Sequence, residues 1–246
     1  MYDGMLAETV TVVGDGGDRI PAYLARPLGP GPFPGIVVIH HMPGYDPPTR
    51  AIVREFAASR YAAICPNLHH RYAPGANHVD AARAAREAGG VPDAQCIADV
   101  AAAVEQVRTI PNANGKVGVI GYCSGGRQAY VVACNLPLDA AVDCYGGNVV
   151  MSSDKLTPAQ PVAPIDMTPN LGCPLLGLFG AEDTNPAPEQ VAEIEAALRA
   201  NGKNFEFHTY DGAGHAFFTV DRPNYNVDAA TDGWEKILDF FARHLT

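Results

Sequence analysis

Residues 117–134 read VGVIGYCSGGRQAYVVAC, an apolar run that passes through a glycine-rich turn into a second apolar segment. The run at 117–120 predicts a buried strand, and the residues after Cys123 predict a helix. Gly121 and Gly125 lie two residues on either side of Cys123, where a sharp turn leaves no space for side chains between a strand and a helix. The pattern predicts a nucleophile elbow, a strand–turn–helix motif that exposes its central residue, here Cys123.

An exposed thiol at this position is suited to nucleophilic chemistry. The N-terminus of the following helix carries partial positive charge, which favours a thiolate, and its free N–H groups can hold a developing oxyanion. Cysteines beside strands are also common as buried structural residues, which is the alternative. The small residue Gly126, directly after the motif, favours the elbow, and with it acyl transfer by Cys123.

An elbow nucleophile needs an acid and a base later in the chain, in that order. Asp183 follows an apolar strand that is predicted to end at Gly180, and it is the candidate acid. A helix N-cap or a solvated loop is the alternative role for it, and the neighbouring Glu182 is a rival carboxylate.

The candidate base is His215, which lies in a glycine-rich loop after the last predicted strand, at 205–210. A surface loop histidine is the alternative, but the glycines and aromatic residues around His215 favour catalysis. His208 falls inside the strand pattern and is predicted to be structural.

These three motifs, in this order, are similar to those of the dienelactone hydrolase family of α/β-hydrolases. The family pattern has Gly-Tyr-Cys-x-Gly-Gly at the elbow, an aspartate after a strand and Gly-His-x-Phe near the C-terminus, which correspond here to 121–126, Asp183 and 215–217. The resemblance extends over nearly the whole chain. It implies a cofactor-free, usually monomeric cytoplasmic enzyme that opens lactone or enol-ester rings through a cysteinyl acyl-enzyme; a homodimer stays open.

The resemblance also assigns roles to residues near the end of an earlier strand. It gives the backbone N–H groups of Met42 and Ser124 the oxyanion-hole role. The family typically has a glutamate at the position of His41, where it is thought to help activate the thiol. A histidine can accept a proton or act as a cation beside a thiolate, but it cannot supply a negative charge.

The substrate-binding residues depart from the family in the same way. The family holds a substrate carboxylate with arginines, one of them four residues after the catalytic histidine, where this chain has Thr219. Arg222, Arg71 and Arg127 are substitutes, each with a solvated surface charge as the alternative. Tyr145 matches a pocket tyrosine of the family and is a candidate for substrate binding, or an aromatic residue that closes the sheet edge.

Composition and periodicity predict the fold class independently. With 246 residues and 47% hydrophobic content, the chain can bury one large α/β core, so a single domain over 1–246 is expected. Alternating residues at 8–13 and 20–25 predict an antiparallel hairpin at the sheet edge. The later alternation of strands and helices predicts an α/β-hydrolase fold, a mostly parallel sheet with helices on both faces.

The formal net charge of −10 argues against nucleic acids and anionic membranes as partners. Residues 1–6 lack the features of a signal peptide, and no apolar run has the length of a membrane span, so a cytoplasmic protein with a small-molecule lactone or ester substrate is expected. The six cysteines show no paired spacing, which favours free thiols.

Two other functions stay open. The first is a metal-dependent hydrolase, for which adjacent histidines and the lack of a His-x-x-x-His or Cys-x-x-Cys motif are unfavourable. Its candidate ligands are His40, His41, His69, His70, His78 and His215. The second is an α/β-hydrolase fold that only binds a ligand, which the complete set of triad positions disfavours.

Overall fold

Eight strands form one sheet in the computed structural model, which describes residues 4–220 and 222–246. Their spatial order is β1-β2-β4-β3-β5-β6-β7-β8. The strands are β1 (Met5–Val13), β2 (Arg19–Pro27), β3 (Phe33–Ile39), β4 (Ala62–Pro66), β5 (Ala113–Tyr122), β6 (Ala140–Cys144), β7 (Leu175–Gly180) and β8 (Phe205–Tyr210). The pairs β1–β2 and β2–β4 are antiparallel, and the other pairs are parallel. The predicted edge hairpin and mostly parallel sheet are confirmed.

The described residues form six α-helices. They are α1 (Pro47–Ala58), α2 (His78–Glu87), α3 (Asp93–Arg108), α4 (Ser124–Ala133), α5 (Pro188–Ala200) and α6 (Val227–Leu245). Five of them, all except α2, pack on the two faces of the sheet, as predicted. Short 3-10 helices lie at Asp15–Gly17, Ser153–Lys155 and Pro164–Asn170. The last two fall in the proline-rich segment between β6 and β7.

The central strands bury both faces because their side chains alternate between two hydrophobic layers. Val37 and Ile39 pack with α3, α4 and α5 on one face, whereas Ile36 and Val38 pack with α1 and α6 on the other. A strand buried on both faces has a continuous apolar sequence, as β3 does. The parallel order brings the carboxyl ends of β3, β5, β7 and β8 to one edge of the sheet, and the loops that follow them meet there.

Two further observations concern the described part of the chain. No helix in it is long and apolar enough to cross a membrane. All six cysteines are unpaired, and all except Cys123 are buried. The predicted free thiols are therefore present.

Candidate active site

Cys123 occupies the sharp turn between β5 and α4 that the sequence predicts. Its backbone has φ 57° and ψ −121°, a conformation that residues other than glycine rarely adopt. A Cβ at Gly121 would overlap the carbonyl of Gly125, and a Cβ at Gly125 would overlap the carbonyl of Ile39. The glycines allow α4 to pack directly against the strand ends, and the turn presents the Cys123 side chain above them.

His215 and Asp183 come together from the loops after β8 and β7. His215 Nδ1 lies 2.8 Å from Asp183 Oδ2, and the backbone N–H of Asn185 donates to Asp183 Oδ1 at 2.9 Å. Asp183 is 4% exposed, whereas Glu182 is exposed to solvent. Because a Cβ at Gly180 would overlap the Ala213 carbonyl, glycine is what allows the two loops to approach. The structure therefore places Asp183, and not Glu182, against the histidine.

Cys123, His215 and Asp183 line one cleft, and the thiol and the imidazole are close enough to shift each other's pKa. Burial raises the pKa of Cys123, but the hydrogen bond and the positive charge of His215 outweigh it, so that the pKa is lowered. Burial lowers the pKa of His215, yet hydrogen bonds to Asp183 and to Cys123 raise it above its ordinary value. The two opposite shifts favour a thiolate–imidazolium pair.

Two backbone amides also act on the thiol. The N–H groups of Ser124 and Met42 both lower the pKa of Cys123, and the two residues line the same cleft as Cys123. Ser124 is the first residue of α4, and Met42 follows the end of β3. The two amides named by the sequence resemblance thus belong to the start of α4 and to the loop after β3, and N–H groups beside the thiol can stabilise negative charge.

A second histidine–carboxylate pair lies beside Met42. His41 Nε2 is 2.7 Å from Asp46 Oδ2, and the other oxygen of Asp46 accepts the backbone N–H of Thr49 as the N-cap of α1. Burial raises the pKa of Asp46, but the hydrogen bonds from His41 and Thr49 hold it well below its usual range. Asp46 was missed at the sequence level, where Asp-Pro-Pro signals only a helix start.

Two cavities of different character lie near the triad: Cys123 lines one of them, and Tyr145, which packs against His215, lines the other. A cleft of about 610 Å³ contains the triad and polar residues, among them Asn148, Gln160 and Arg86. The second cavity, of about 410 Å³, is lined mainly by aromatic and apolar side chains. We call them the polar cleft and the apolar cavity. The apolar cavity includes Ile52, Tyr122, Tyr145, Phe218 and Trp234, with His41 and Thr219 in its wall.

The structure brings only some of the predicted substrate-binding residues to these cavities. Tyr145 is buried, its ring centre is 5.2 Å from that of His215, and it lines the apolar cavity. Arg71 does not reach the site, because Asp18 and Asp99 bind its guanidinium at 2.7 Å each near the N-terminal hairpin. Arg222 is exposed and is not among the lining residues of either cavity.

The two remaining arginines both line the polar cleft, but one is buried and the other is exposed. Arg127 lines the polar cleft, but it is buried and its guanidinium is bound by both carboxylate oxygens of Asp93, at 2.6 and 3.1 Å. Arg86, near the end of α2, is exposed and lines the same cleft. No sequence pattern points to Arg86, since an arginine in the last turn of a helix is common.

His40, one of the histidines named as a candidate metal ligand, uses both ring nitrogens in other contacts. His40 donates from Nδ1 to the carbonyl of His41 and accepts the N–H of Leu68 at Nε2, and burial lowers its pKa to about 3. Across residues 4–220 and 222–246, no three histidine, cysteine or acidic side chains are grouped so that they could hold a metal ion.

The strand order, the elbow and the loops that carry Asp183 and His215 define an α/β-hydrolase. The profile of the dienelactone hydrolase family matches residues 20–245, and the chain belongs to this family. It is therefore an enzyme of the lactone and ester hydrolase class.

Individual relatives agree with this assignment. The chain is 33% identical to a "Putative carboxymethylenebutenolidase" of Yersinia pestis over 95% of this chain and 87% of that protein. It is equally similar to the protein of that name from Escherichia coli K12, over 98% and 89% of the two chains. The crystal structure titled "Putative Dienelactone Hydrolase" from Klebsiella pneumoniae has a TM-score of 0.88 and 30% identity, and the match covers 98% of this chain and 100% of that one.

Proposed function

We propose that the chain, as one domain over residues 1–246, hydrolyses lactones and activated esters through a cysteinyl acyl-enzyme. Cys123 is the nucleophile, His215 the base and Asp183 the residue that orients His215. The observation that carries the proposal is that His215 Nδ1 lies 2.8 Å from the buried carboxylate of Asp183 and that His215 lines the same cleft as Cys123. An imidazole held in this way has one fixed tautomer, with Nδ1–H donated to Asp183 and Nε2 facing the sulfur.

In the first half of the reaction, the Cys123 thiolate, whose proton is held by His215, forms a bond to the ester carbonyl carbon. The carbonyl electrons move to the oxygen, where the N–H groups of Met42 and Ser124 stabilise the negative charge. Collapse of this adduct breaks the bond to the leaving oxygen, which receives the proton from His215. In a lactone the leaving oxygen stays attached to the acyl chain.

In the second half, water attacks the thioester and gives a proton to His215. The carbon–sulfur bond then breaks, which releases the carboxylic acid and restores the thiolate–imidazolium pair. Because a thiolate leaves more easily than an alkoxide, the first adduct can revert to the starting ester unless the leaving oxygen is stabilised. We therefore expect enol lactones and aryl esters to react faster than simple alkyl esters.

The polar cleft offers a place for a charged part of such a substrate. Arg86 lies at its wall, and a guanidinium is suited to a carboxylate. Neither Arg71 nor Arg222 is in a position to take this role, for the reasons given above. We propose Arg86 as the cationic contact, and Tyr145 as a wall that packs against His215 from the side of the apolar cavity.

The test compares initial rates of native protein and Cys123→Ala on a panel of enol lactones, aryl esters and alkyl esters, with and without a chelator. We expect turnover that the chelator leaves unchanged and that Cys123→Ala abolishes. Turnover that survives Cys123→Ala would rule out the cysteine mechanism. Rates on alkyl esters as high as those on enol lactones would contradict the leaving-group argument.

A further inference from the structure

Three histidines that take no part in the active site line a third cavity. The cavity has a volume of about 200 Å³ and lies between the loop after β4, at residues 67–77, and the starts of α1 and α2. Its described lining residues are different from those of the polar cleft and the apolar cavity. We call it the histidine pocket, and its polar lining residues are Tyr45, Arg50, Asn67, His69, His70 and His78.

The permanent cation of this pocket has no carboxylate partner. Arg50 is half-buried in the first turn of α1, and the central carbon of its guanidinium lies 5.5 Å from the ring centre of Tyr45. None of the ion pairs among the described residues involves Arg50. The positive charge of Arg50 is therefore free to bind an anion.

The carboxylates nearest in the chain do not compete for this cation. Asp46, the N-cap of α1, accepts hydrogen bonds at both of its oxygens from other groups. Asp80, in the first turn of α2, is bound by Arg83 at 2.6 Å. No acidic side chain is among the described residues that line the pocket, so an anion placed there meets no like charge at its wall.

His69 is a buried polar side chain that lacks a partner. It is 3% exposed, and its Nδ1 makes no hydrogen bond to any described residue. Burial lowers the pKa of His69 to about 4, so the ring is neutral near pH 7 and has one N–H to donate. Because buried polar atoms are almost always paired in folded proteins, His69 marks this wall of the pocket as one that a ligand completes.

The other polar groups of the pocket also favour an anion. Asn67 Oδ1 accepts the backbone N–H of His69 at 3.2 Å, which leaves the amide NH₂ of Asn67 as a donor. His70 and His78 are half-buried and each has at least one N–H. Within the part of the chain that the structure describes, no three histidine, cysteine or acidic side chains are grouped to hold one metal ion. The volume is also below the roughly 300–1,000 Å³ that is usual for small-molecule sites, so the ligand must be compact.

We propose that the histidine pocket binds a free tetrahedral oxyanion of the phosphate or sulfate type. Arg50 supplies the positive charge, and Asn67, His70 and His78 donate hydrogen bonds. His69 forms the buried wall. The four oxygens of such an ion point in different directions, which matches donors that come from α1, from the loop after β4 and from α2. This site lies outside the catalytic cleft, and the proposal does not depend on which residue is the nucleophile.

The test titrates the native protein with sodium phosphate and with sodium sulfate, at fixed pH, against sodium chloride at the same ionic strength. Calorimetry gives the dissociation constant. NMR of protein labelled with ¹⁵N at histidine gives the location, because the imidazole signals of His70 and His78 should shift with the bound anion. His208 and His244, on β8 and α6, are the internal references and should not shift. We expect saturable binding of both oxyanions with a dissociation constant of about 1 mM or tighter, and none of chloride.

Variants on two different elements test the contacts. Arg50→Gln should weaken phosphate binding at least about 10-fold, since it removes a charge-assisted hydrogen bond. His78→Gln should weaken it about 2- to 10-fold. The matched control is Arg54→Gln, one turn further along α1 and exposed, which should change the dissociation constant by no more than about 2-fold. Circular dichroism checks that each variant is folded.

The proposal is overturned if phosphate has no more effect than chloride, or if Arg50→Gln and Arg54→Gln weaken binding equally. It is also overturned if binding is lost in Arg86→Gln but kept in Arg50→Gln, because the anion would then lie in the polar cleft. Phenyl phosphate separates a free ion from a phosphate ester. The largely polar wall gives its ring no apolar contact, so it should bind no more tightly than inorganic phosphate. Clearly tighter binding of phenyl phosphate would identify an ester as the ligand and refute the assignment to a free ion.

Discussion

Replacing Asp183 by asparagine should reverse the tautomer of His215 while leaving the loop in place. The N–H of Asn185 donates to Asp183 Oδ1 at 2.9 Å, so the carbonyl oxygen of the new amide should keep this position. The NH₂ group then takes the place of Oδ2, 2.8 Å from His215 Nδ1. Two donors cannot face each other, and Nδ1 must become the acceptor. His215 then carries its proton on Nε2, where it can no longer accept one from Cys123.

The size of the effect follows from this reversal. Loss of the correct tautomer in a catalytic triad lowers kcat by as much as about 10⁴-fold. A thiol is a better nucleophile than a hydroxyl and partly compensates, so we expect a loss near 10³-fold, or about 4 kcal/mol. Loss of the carboxylate also lowers the pKa of His215, and the reduced positive charge should raise the pKa of Cys123 toward its ordinary value of about 8.5.

Two assays measure these effects separately. Steady-state hydrolysis of an activated aryl ester gives the loss in kcat. The rate of alkylation by iodoacetamide as a function of pH gives the pKa of Cys123, because the other five thiols are buried in the folded protein. The matched control is Glu182→Gln, a neighbouring carboxylate that is exposed, and it should change neither result by more than about 2-fold.

The reasoning is refuted if Asp183→Asn keeps kcat within about 3-fold of the native value while the control behaves as expected. It is also refuted if Glu182→Gln is the more damaging substitution. An unchanged alkylation profile in Asp183→Asn would show that Asp183 does not set the charge on His215.

Further expectations follow from the same structure. The pH profile of kcat/KM should be bell-shaped. The rate should rise with pH below the ordinary thiol pKa, as Cys123 ionises, and fall above the ordinary imidazole pKa, as His215 loses its proton. A single rise near the ordinary thiol pKa would contradict this prediction. Gly121→Ala should lower the free energy of unfolding, measured in urea, by about 2 kcal/mol or more. In the control Gly172→Ala, the new Cβ meets only one atom, at 3.9 Å, and the free energy of unfolding should stay within about 0.5 kcal/mol of the native value. Equal effects of the two substitutions would refute the packing argument. Burial raises the pKa of Asp143 to about 7, so its contribution to stability is complete below the unfolded-state pKa and is lost as pH rises through the folded-state value. Relative to Asp143→Asn, the native protein should lose up to a few kcal/mol of stability between about pH 4 and 8, and parallel stability curves would disprove this.

The elbow could be predicted from local sequence because its cause is local. Gly121 and Gly125 are required wherever a helix starts directly against a strand end, whatever the rest of the chain does. The strands β3 and β5 were recognisable because both faces are buried, which makes their sequences continuously apolar. The order of the later motifs then placed Asp183 and His215 at neighbouring strand ends, since parallel strands share one carboxyl edge.

The contacts of individual polar side chains could not be predicted in this way. Glu182 and Asp183 are adjacent and chemically alike, and only the path of the loop decides which of them meets His215. By sequence alone, Arg71 is a candidate substrate contact. In the fold, its guanidinium is bound by Asp18 and Asp99, which are 53 and 28 residues away in the chain. Such partners come from distant segments, and composition and periodicity hold no information about their distance.

The same limit applies to the polar cleft and the apolar cavity. By itself, the sequence determined the fold class, the family and the positions of the three motifs, because glycine geometry, apolar periodicity and motif order are properties of short segments. Only the tertiary structure decided that His41 is held by Asp46 and that Arg86 lines the polar cleft. A cavity is the space left between segments that are far apart in the chain, so its shape and charge exist only once these segments have packed.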